Sequence, residues 1–171
     1  NATSADSSQY TGDILDGSIS GGRFIKTGTG SLTLSGQTGW SGDTTLNGGD
    51  LILDGSNGGA QLTSNIIGTS GTRLNLIHDA SLTGWIDPTD VTIDAASRRN
   101  MTGNSLVDQL NNAGTINITV PDTNNFKTLT VQGNYTGNNG LVILNTQLGD
   151  DSSPTDRFIV QGDTAGSTRL Q

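Results

Sequence analysis

The chain has 171 residues, of which 30% are hydrophobic and 4% aromatic, with no cysteine and a formal net charge of −8. The lack of cysteine excludes disulfides and cysteine-based zinc sites. The longest basic run is Arg98-Arg99, which argues against binding to nucleic acid or to an anionic membrane surface. So few apolar residues suit an elongated β fold, in which each layer buries a thin apolar strip.

The first half of the chain carries a repeated alternating pattern. Aligning the run from Leu32 with the run from Leu51 gives a shift of 19 residues, close to the period of a solenoid. Later runs start at Leu74, Val91 and Ile116, with spacings of 23, 17 and 25 residues. The pattern predicts coils of about 20 residues whose alternate side chains share one interior.

The segment Ser97–Asn111 has some helical character. Leu106 and Leu110 form an i, i+4 apolar pair, while Gly103 weakens the pattern. The segment therefore predicts a loop with one helical turn from Ser105.

The end of the chain contains four short β-type runs, at Thr128–Val131, Leu141–Leu144, Arg157–Val160 and Thr168–Leu170. Their closer spacing, with Asn-Gly turn signals between them, predicts two-stranded layers or hairpins. Terminal repeats of a solenoid must cap its open interior, so we predict β-helix coils over residues 1–113 and a hairpin-rich cap over residues 114–171.

Few residues suggest chemistry. His78 beside Asp79 is interpreted as a surface or corner histidine, because no positioned nucleophile accompanies it. The aspartates of the loop Gly149–Asp156 could bind Ca²⁺, but no calcium-binding motif is present and a solvated loop is favoured. Asp54 and Asp94 are the best carboxylates for a polysaccharide-cleaving site. No metal, cofactor or catalytic residue is assigned.

Two further features are open to a second interpretation. Arg98 and Arg99 are basic and expected on an exposed loop, so proteolysis there is an alternative to a solvated loop. Trp40 and Trp85 are candidates for coil-edge packing or for an exposed binding surface.

Two stretches resemble a known family. Lys26–Gly55 resembles the passenger repeat of bacterial autotransporters at Lys26, Gly28, Gly30, Leu32, Leu34, Gly36, Gly42, Thr44, Gly49 and Leu51. Leu129–Gly166 is similar to the pertactin-like end of these passengers, with Asp156-Arg157 as its most specific part. The resemblance is of the AIDA-like or IcsA-like type, which these residues do not separate.

This resemblance implies a right-handed parallel β-helix that is exported through the periplasm to the bacterial cell surface. It implies that residues 114–171 are an autochaperone segment, which folds first and promotes outer-membrane secretion of a surface virulence factor. The expected partners are the passenger's own coils and its β-barrel translocator. The residues expected to form the core of this segment are Leu129, Val131, Tyr135, Val142, Leu144, Asp156, Arg157, Phe158 and Val160.

The implied function is non-enzymatic. A binding module for a host protein or for a neighbouring passenger is the first alternative, and a polysaccharide-cleaving β-helix is the second.

Overall fold

The computed structural model describes residues 6–122 and 125–171. Apart from a 3-10 turn at Gly55–Asn57, its regular elements are short strands. The strands are β1 Ser8–Tyr10, β2 Ile14–Leu15, β3 Phe24–Lys26, β4 Ser31–Leu34, β5 Thr38–Gly39, β6 Thr44–Leu46, β7 Asp50–Asp54, β8 Gln61–Thr63, β9 Ile66–Ile67, β10 Arg73–Ile77, β11 Ser81–Thr83, β12 Ile86–Asp87, β13 Asp90–Ile93, β14 Arg98–Met101, β15 Ser105–Val107, β16 Leu110–Asn112, β17 Thr115–Ile118, β18 Thr128–Val131, β19 Tyr135–Ile143, β20 Arg157–Val160 and β21 Thr164–Leu170.

The strands wind into a three-sided coil, because each pairs in parallel with the strand about three positions further along the chain. Side 1 runs β1, β4, β7, β10, β13, β16; side 2 runs β2, β5, then β8, β11, β14, β17; and side 3 runs β3, β6, β9, β12, then β15, β18, β20. The long strands β19 and β21 each span sides 1 and 2. The ladder is interrupted between β5 and β8 and between β12 and β15. The predicted all-β parallel β-helix is confirmed.

The predicted registers of the first coils are confirmed. Leu32 pairs with Leu51, which pairs with Leu74, which pairs with Val91. The next spacing was wrong, since Val91 pairs with Leu110 and Ile116 lies on a different side of the coil.

Alternate side chains fill a continuous interior. Leu51, Leu74 and Leu82 are 0% exposed, and in-register stacking pairs Leu51 with Leu74 on side 1 and Leu62 with Leu82 on side 2. Lys26 is also buried, and its Nζ donates to the carbonyl oxygens of Thr27, Gly28 and Gly48 at 3.0–3.1 Å. These bonds replace water around the ammonium group and give the lysine of the repeat a structural role.

The predicted helical turn at Ser105 is wrong. Ser97–Asn111 contains β14, β15 and most of β16, and it forms three sides of one coil. Leu110 is buried on side 1, whereas Leu106 lies on the outer surface of side 3. The i, i+4 spacing arose because the chain turns a corner between two short strands.

The predicted hairpins of the cap are also wrong. β18 pairs with β20 and β19 with β21, and both ladders are parallel. The close spacing of the apolar runs reflects successive sides of a three-sided coil. Among the described residues, one isolated antiparallel bridge, between Thr146 and Thr155, gives a hairpin-like excursion.

No helix in the described part of the chain has the length and apolar character needed to cross a membrane.

Candidate functional site: the C-terminal cap

The cap, residues 114–171, has its own apolar interior. Leu129, Val131 and Val142 are fully buried on two strands, β18 for the first two and β19 for the third. Leu144, Phe158 and Val160 pack against this interior and are half-buried. The structure therefore brings together most of the apolar residues expected from the sequence, with the outermost ones only partly covered.

An aromatic pair closes the cap. The rings of Tyr135 and Phe158 meet edge to face with centroids 5.0 Å apart, an arrangement that aromatic quadrupoles favour. The Tyr135 hydroxyl hydrogen-bonds to the hydroxyl of Thr168 in the last strand. Below this pair lies an open groove of about 380 Å³, lined also by Val160 and Leu170. The solenoid interior thus ends in a partly solvated apolar surface.

Asp156 is the hydrogen-bonding centre of the cap. It is 3% exposed, and its Oδ1 accepts the backbone N–H of Lys127 at 2.7 Å. Its Oδ2 accepts the backbone and side-chain N–H groups of Asn145 at 2.8 and 2.7 Å. The carboxylate therefore joins the chain entering β18 to the chain leaving β19. Arg157, which was expected in the core of the cap, is exposed instead.

Two partners of Asp156 were missed by the sequence reasoning. Lys127 is buried and its Nζ donates to the carbonyl oxygen of Thr119 at 2.8 Å. Asn145 Nδ2 donates to the carbonyl oxygen of Ile118 at 2.8 Å as well as to Asp156. Neither residue belongs to an apolar run or a motif, so only the aspartate itself carried a sequence signal.

Close approach of successive coils also fixes a glycine. Gly166 has φ of 79°, and a Cβ there would lie 1.9 Å from the carbonyl oxygen of Gly137. Any other residue would force β21 away from β19.

The aspartates of the loop Gly149–Asp156, considered from the sequence as calcium ligands, do not lie together. Asp156 is buried in its hydrogen-bond centre, while Asp150 and Asp151 lie exposed in the preceding loop. The hydrogen bonds from Ser152 lower the pKa of Asp150. Within residues 6–122 and 125–171 no three acidic or histidine side chains form a metal-binding group.

The two tryptophans differ in placement. Trp40 is 4% exposed, stacks on Phe24 with centroids 4.8 Å apart, and donates from Nε1 to Thr44 Oγ1 at 2.8 Å. The interpretation in which both tryptophans form an exposed binding surface is therefore wrong. Trp85 is half-buried and lines an open groove of about 370 Å³ on side 3, together with Asn104 and Thr128.

The prediction that the two adjacent arginines lie on an exposed loop is wrong as well. Arg98 and Arg99 lie in β14, and Arg99 is 1% exposed. Burial lowers the pKa of Arg99 to about 10. A backbone held in a parallel ladder on both sides is a poor protease substrate.

The candidate catalytic carboxylates flank His78. Its Nδ1 lies 3.0 Å from Asp54 Oδ1, and its backbone N–H donates to Asp94 Oδ2 at 2.6 Å. Burial alone would raise the pKa of Asp94, but hydrogen bonds from Ser97, His78 and Ala96 outweigh it and lower the pKa. Both carboxylates thus hold the corner that follows β10 and β13.

Comparison with known proteins identifies the cap. The family model described as Autochaperone Domain Type 1 matches residues 105–171. The chain is 34% identical over 149 residues, 87% of its length, to an uncharacterized protein, YuaQ, of Escherichia coli K12. It is 35% identical over 158 residues, 91% of its length, to the adhesin BmaC autotransporter of Brucella suis. It is 29% identical over 120 residues, 70% of its length, to the probable autotransporter YfaL of E. coli K12.

These alignments cover 9%, 4% and 9% of the three relatives, so the chain spans under a tenth of each. No solved structure matches. The family match begins at Ser105, nine residues before the predicted boundary at residue 114, and the exact boundary stays a prediction. The chain is a parallel solenoid whose cap is held together by the hydrogen bonds of Asp156, and it is similar to these proteins. It therefore belongs to the bacterial autotransporter passengers, as a segment that carries a type 1 autochaperone domain.

Proposed function

We propose that the cap acts as the folding nucleus of the passenger, promoting the folding of the coils stacked on it and outer-membrane secretion of a surface virulence factor. The observation that carries this proposal is the position of β19. It is the one described strand that pairs with three others, with β16 and β17 of the coil above and with β21 below. Once formed, it presents two sides of a template for the next coil.

The physics of solenoids supports this role. Each coil contacts only its neighbours, so folding propagates by addition to an existing end. The first coil has to close a loop without a template, and this entropic cost falls on the nucleus. Asp156 lowers that cost in the cap, because one carboxylate fixes two chain segments at once.

A display assay tests the proposal. The chain would be placed upstream of an autotransporter β-barrel, and the surface-exposed, protease-resistant passenger would be measured for Leu129→Ala and Leu53→Ala. Both leucines are 0% exposed, one in the cap and one in an upper coil. We expect Leu129→Ala to reduce display several-fold more than Leu53→Ala. Equal losses would contradict a special role for the cap.

In this role the chain has no enzymatic activity and lies at the bacterial cell surface, where its partners are the translocator barrel and the passenger's own coils. Asp54 and Asp94 have a structural role in this proposal, since both engage the His78 corner.

Adhesion to a host protein or to a neighbouring passenger is a second candidate. The Trp85 groove on side 3 favours it, and one relative is named an adhesin. Cell-binding measurements on displayed Trp85→Ala test this candidate. Reduced binding at unchanged display would support it, and unchanged binding would count against this groove.

A further inference from the structure

One coil carries an inward polar residue on each of its three sides. Arg99 lies on side 2 between Leu82 and Ile116, and Asn112 lies on side 1 between Ile93 and Gly137. Ser105 lies on side 3, in register with the fully buried Leu129 of the cap. These three residues, Arg99, Ser105 and Asn112, are called the polar layer below.

The polar layer is almost dry. Arg99 is 1% exposed, Ser105 5% and Asn112 0%. Arg99 Nε and both polar side-chain atoms of Asn112 are buried without a hydrogen-bond partner. In the part of the chain that the structure describes, no ion pair involves Arg99. A buried cation without a counter-charge weakens the packing around it.

Backbone pairing is also weakest here on side 3. The ladder stops at β12 and resumes at β15. The Ser105 hydroxyl spans the gap, accepting the backbone N–H of Ile86 at 3.1 Å and Nη2 of Arg99 at 2.7 Å. A single side chain thus takes the place of a backbone acceptor for the coil above.

We infer that the polar layer is the docking interface between the cap and the passenger coils above it. It divides the solenoid into two cooperative units, and Ser105 holds the upper unit in register through its hydrogen bond with the Ile86 backbone N–H. The physical precedent is a buried polar residue that fixes the register of a coiled coil while lowering its stability. The inference rests on the proposed function only for the order in which the units form.

Native-state hydrogen exchange of the full chain in increasing urea tests the interface. The upper unit is read from amides of β10 and β13, and the cap from amides of β18 and β19. Trp40 packs on Phe24 within the upper unit, whereas Trp85 lines a groove with Ser105 and Thr128, so the fluorescence of Trp40 in a Trp85→Phe background reports the upper unit separately. We expect two groups of amides that open at different urea concentrations, with the break at residues 98–112.

Variants sharpen the test. Ser105→Ala should speed exchange of the Ile86 amide at least tenfold. It should lower the urea concentration at which the upper unit opens and leave that of the cap unchanged. Ser97→Ala is the matched control, since Ser97 Oγ is buried but has no hydrogen-bond partner. The combined variant Arg99→Met, Asn112→Val, which keeps the Ser105 acceptor, should merge the two groups into one.

The outcomes separate this inference from the proposed function. Simultaneous opening of all coils in the unmodified chain would overturn the interface, as would an unchanged gap in the combined variant or equal effects of Ser105→Ala and Ser97→Ala. Two units with the cap opening first would support the interface and contradict the cap as nucleus.

Discussion

The upper coils and the cap are stabilised in different ways. Leu53 in an upper coil is covered by a coil on each side, with Leu34 and Leu76 as its register partners. In the cap, Phe158 has a coil above it and only the open groove below. The cap adds a buried carboxylate that accepts three N–H groups.

The difference shows what a solenoid end requires. An inner coil gains its stability from apolar contact with two neighbours, whereas a terminal coil has one neighbour and an exposed face. Directional bonds compensate for part of the lost contact, because a charge-assisted hydrogen bond in a buried setting exceeds a neutral one in strength. Removal of such a bond should therefore affect the cap more than any single apolar truncation affects a coil.

The largest expected effect comes from Asp156→Ala. Three N–H groups, of which that of Lys127 is buried and the two of Asn145 are partly buried, lose their acceptor, so we expect the free energy of unfolding of the cap to fall by about 4 kcal/mol or more. Exchange of the β18 and β19 amides measures it. Asp151→Ala, in the same loop but exposed, is the control and should change nothing. A loss below about 1 kcal/mol would show that the hydrogen-bond centre does not hold the cap.

Apolar truncations should rank by coverage. Leu53→Ala removes a fully buried side chain and should cost about 3 kcal/mol, whereas Phe158→Ala, half-buried, should cost about 2 kcal/mol despite the larger side chain. Urea unfolding followed by circular dichroism compares them. The reverse order would mean that the open end of the cap is covered in solution.

The smallest effects are electrostatic and opposite in sign. Burial and the Asp108 carboxylate raise the pKa of Asp90, so its ionised form destabilises the fold above that pKa. Asp90→Asn should therefore stabilise the protein at pH 7, with a gain that fades as pH falls towards 3.8. Asp94 has a lowered pKa, so Asp94→Asn should destabilise at pH 7, and this loss should vanish as pH falls through that lowered pKa.

Both changes should remain below about 1 kcal/mol, because these carboxylates are partly solvated. Thermal unfolding of the two variants between pH 2.5 and 7 measures them. Shifts of the same sign at pH 7 would show that one of the two local environments is described incorrectly.

The sequence predicted the parallel solenoid, the register of the first coils and the apolar residues of the cap, of which the outermost are only half-buried. These features depend on the alternation of apolar and polar residues along each strand and on a repeat spacing of about 20 residues. Both can be read directly from the sequence, as with Leu32 and Leu51. Hairpins were predicted wrongly because spacing alone does not distinguish a return strand from the next side of a coil.

The buried basic residues were beyond sequence reasoning. Lys26, Arg99 and Lys127 look like solvated charges, and only the three-dimensional path of the chain shows carbonyl oxygens around Lys26 or an apolar column around Arg99. Trp40 was open to two interpretations for the same reason, since a glycine-rich turn gives no indication that Phe24 lies beneath it.

The excursion between Asn145 and Asp156 has a consequence for how such surfaces diversify. Its two ends are held together by Asp156 and by the Thr146–Thr155 bridge, while Leu148 at 93% exposure and the acidic tip reach into solvent. Lengthening a loop whose ends are already closed costs little, since each doubling adds only about 0.6 kcal/mol. New sequence can therefore accumulate at this corner while the stacking of the coils stays unchanged.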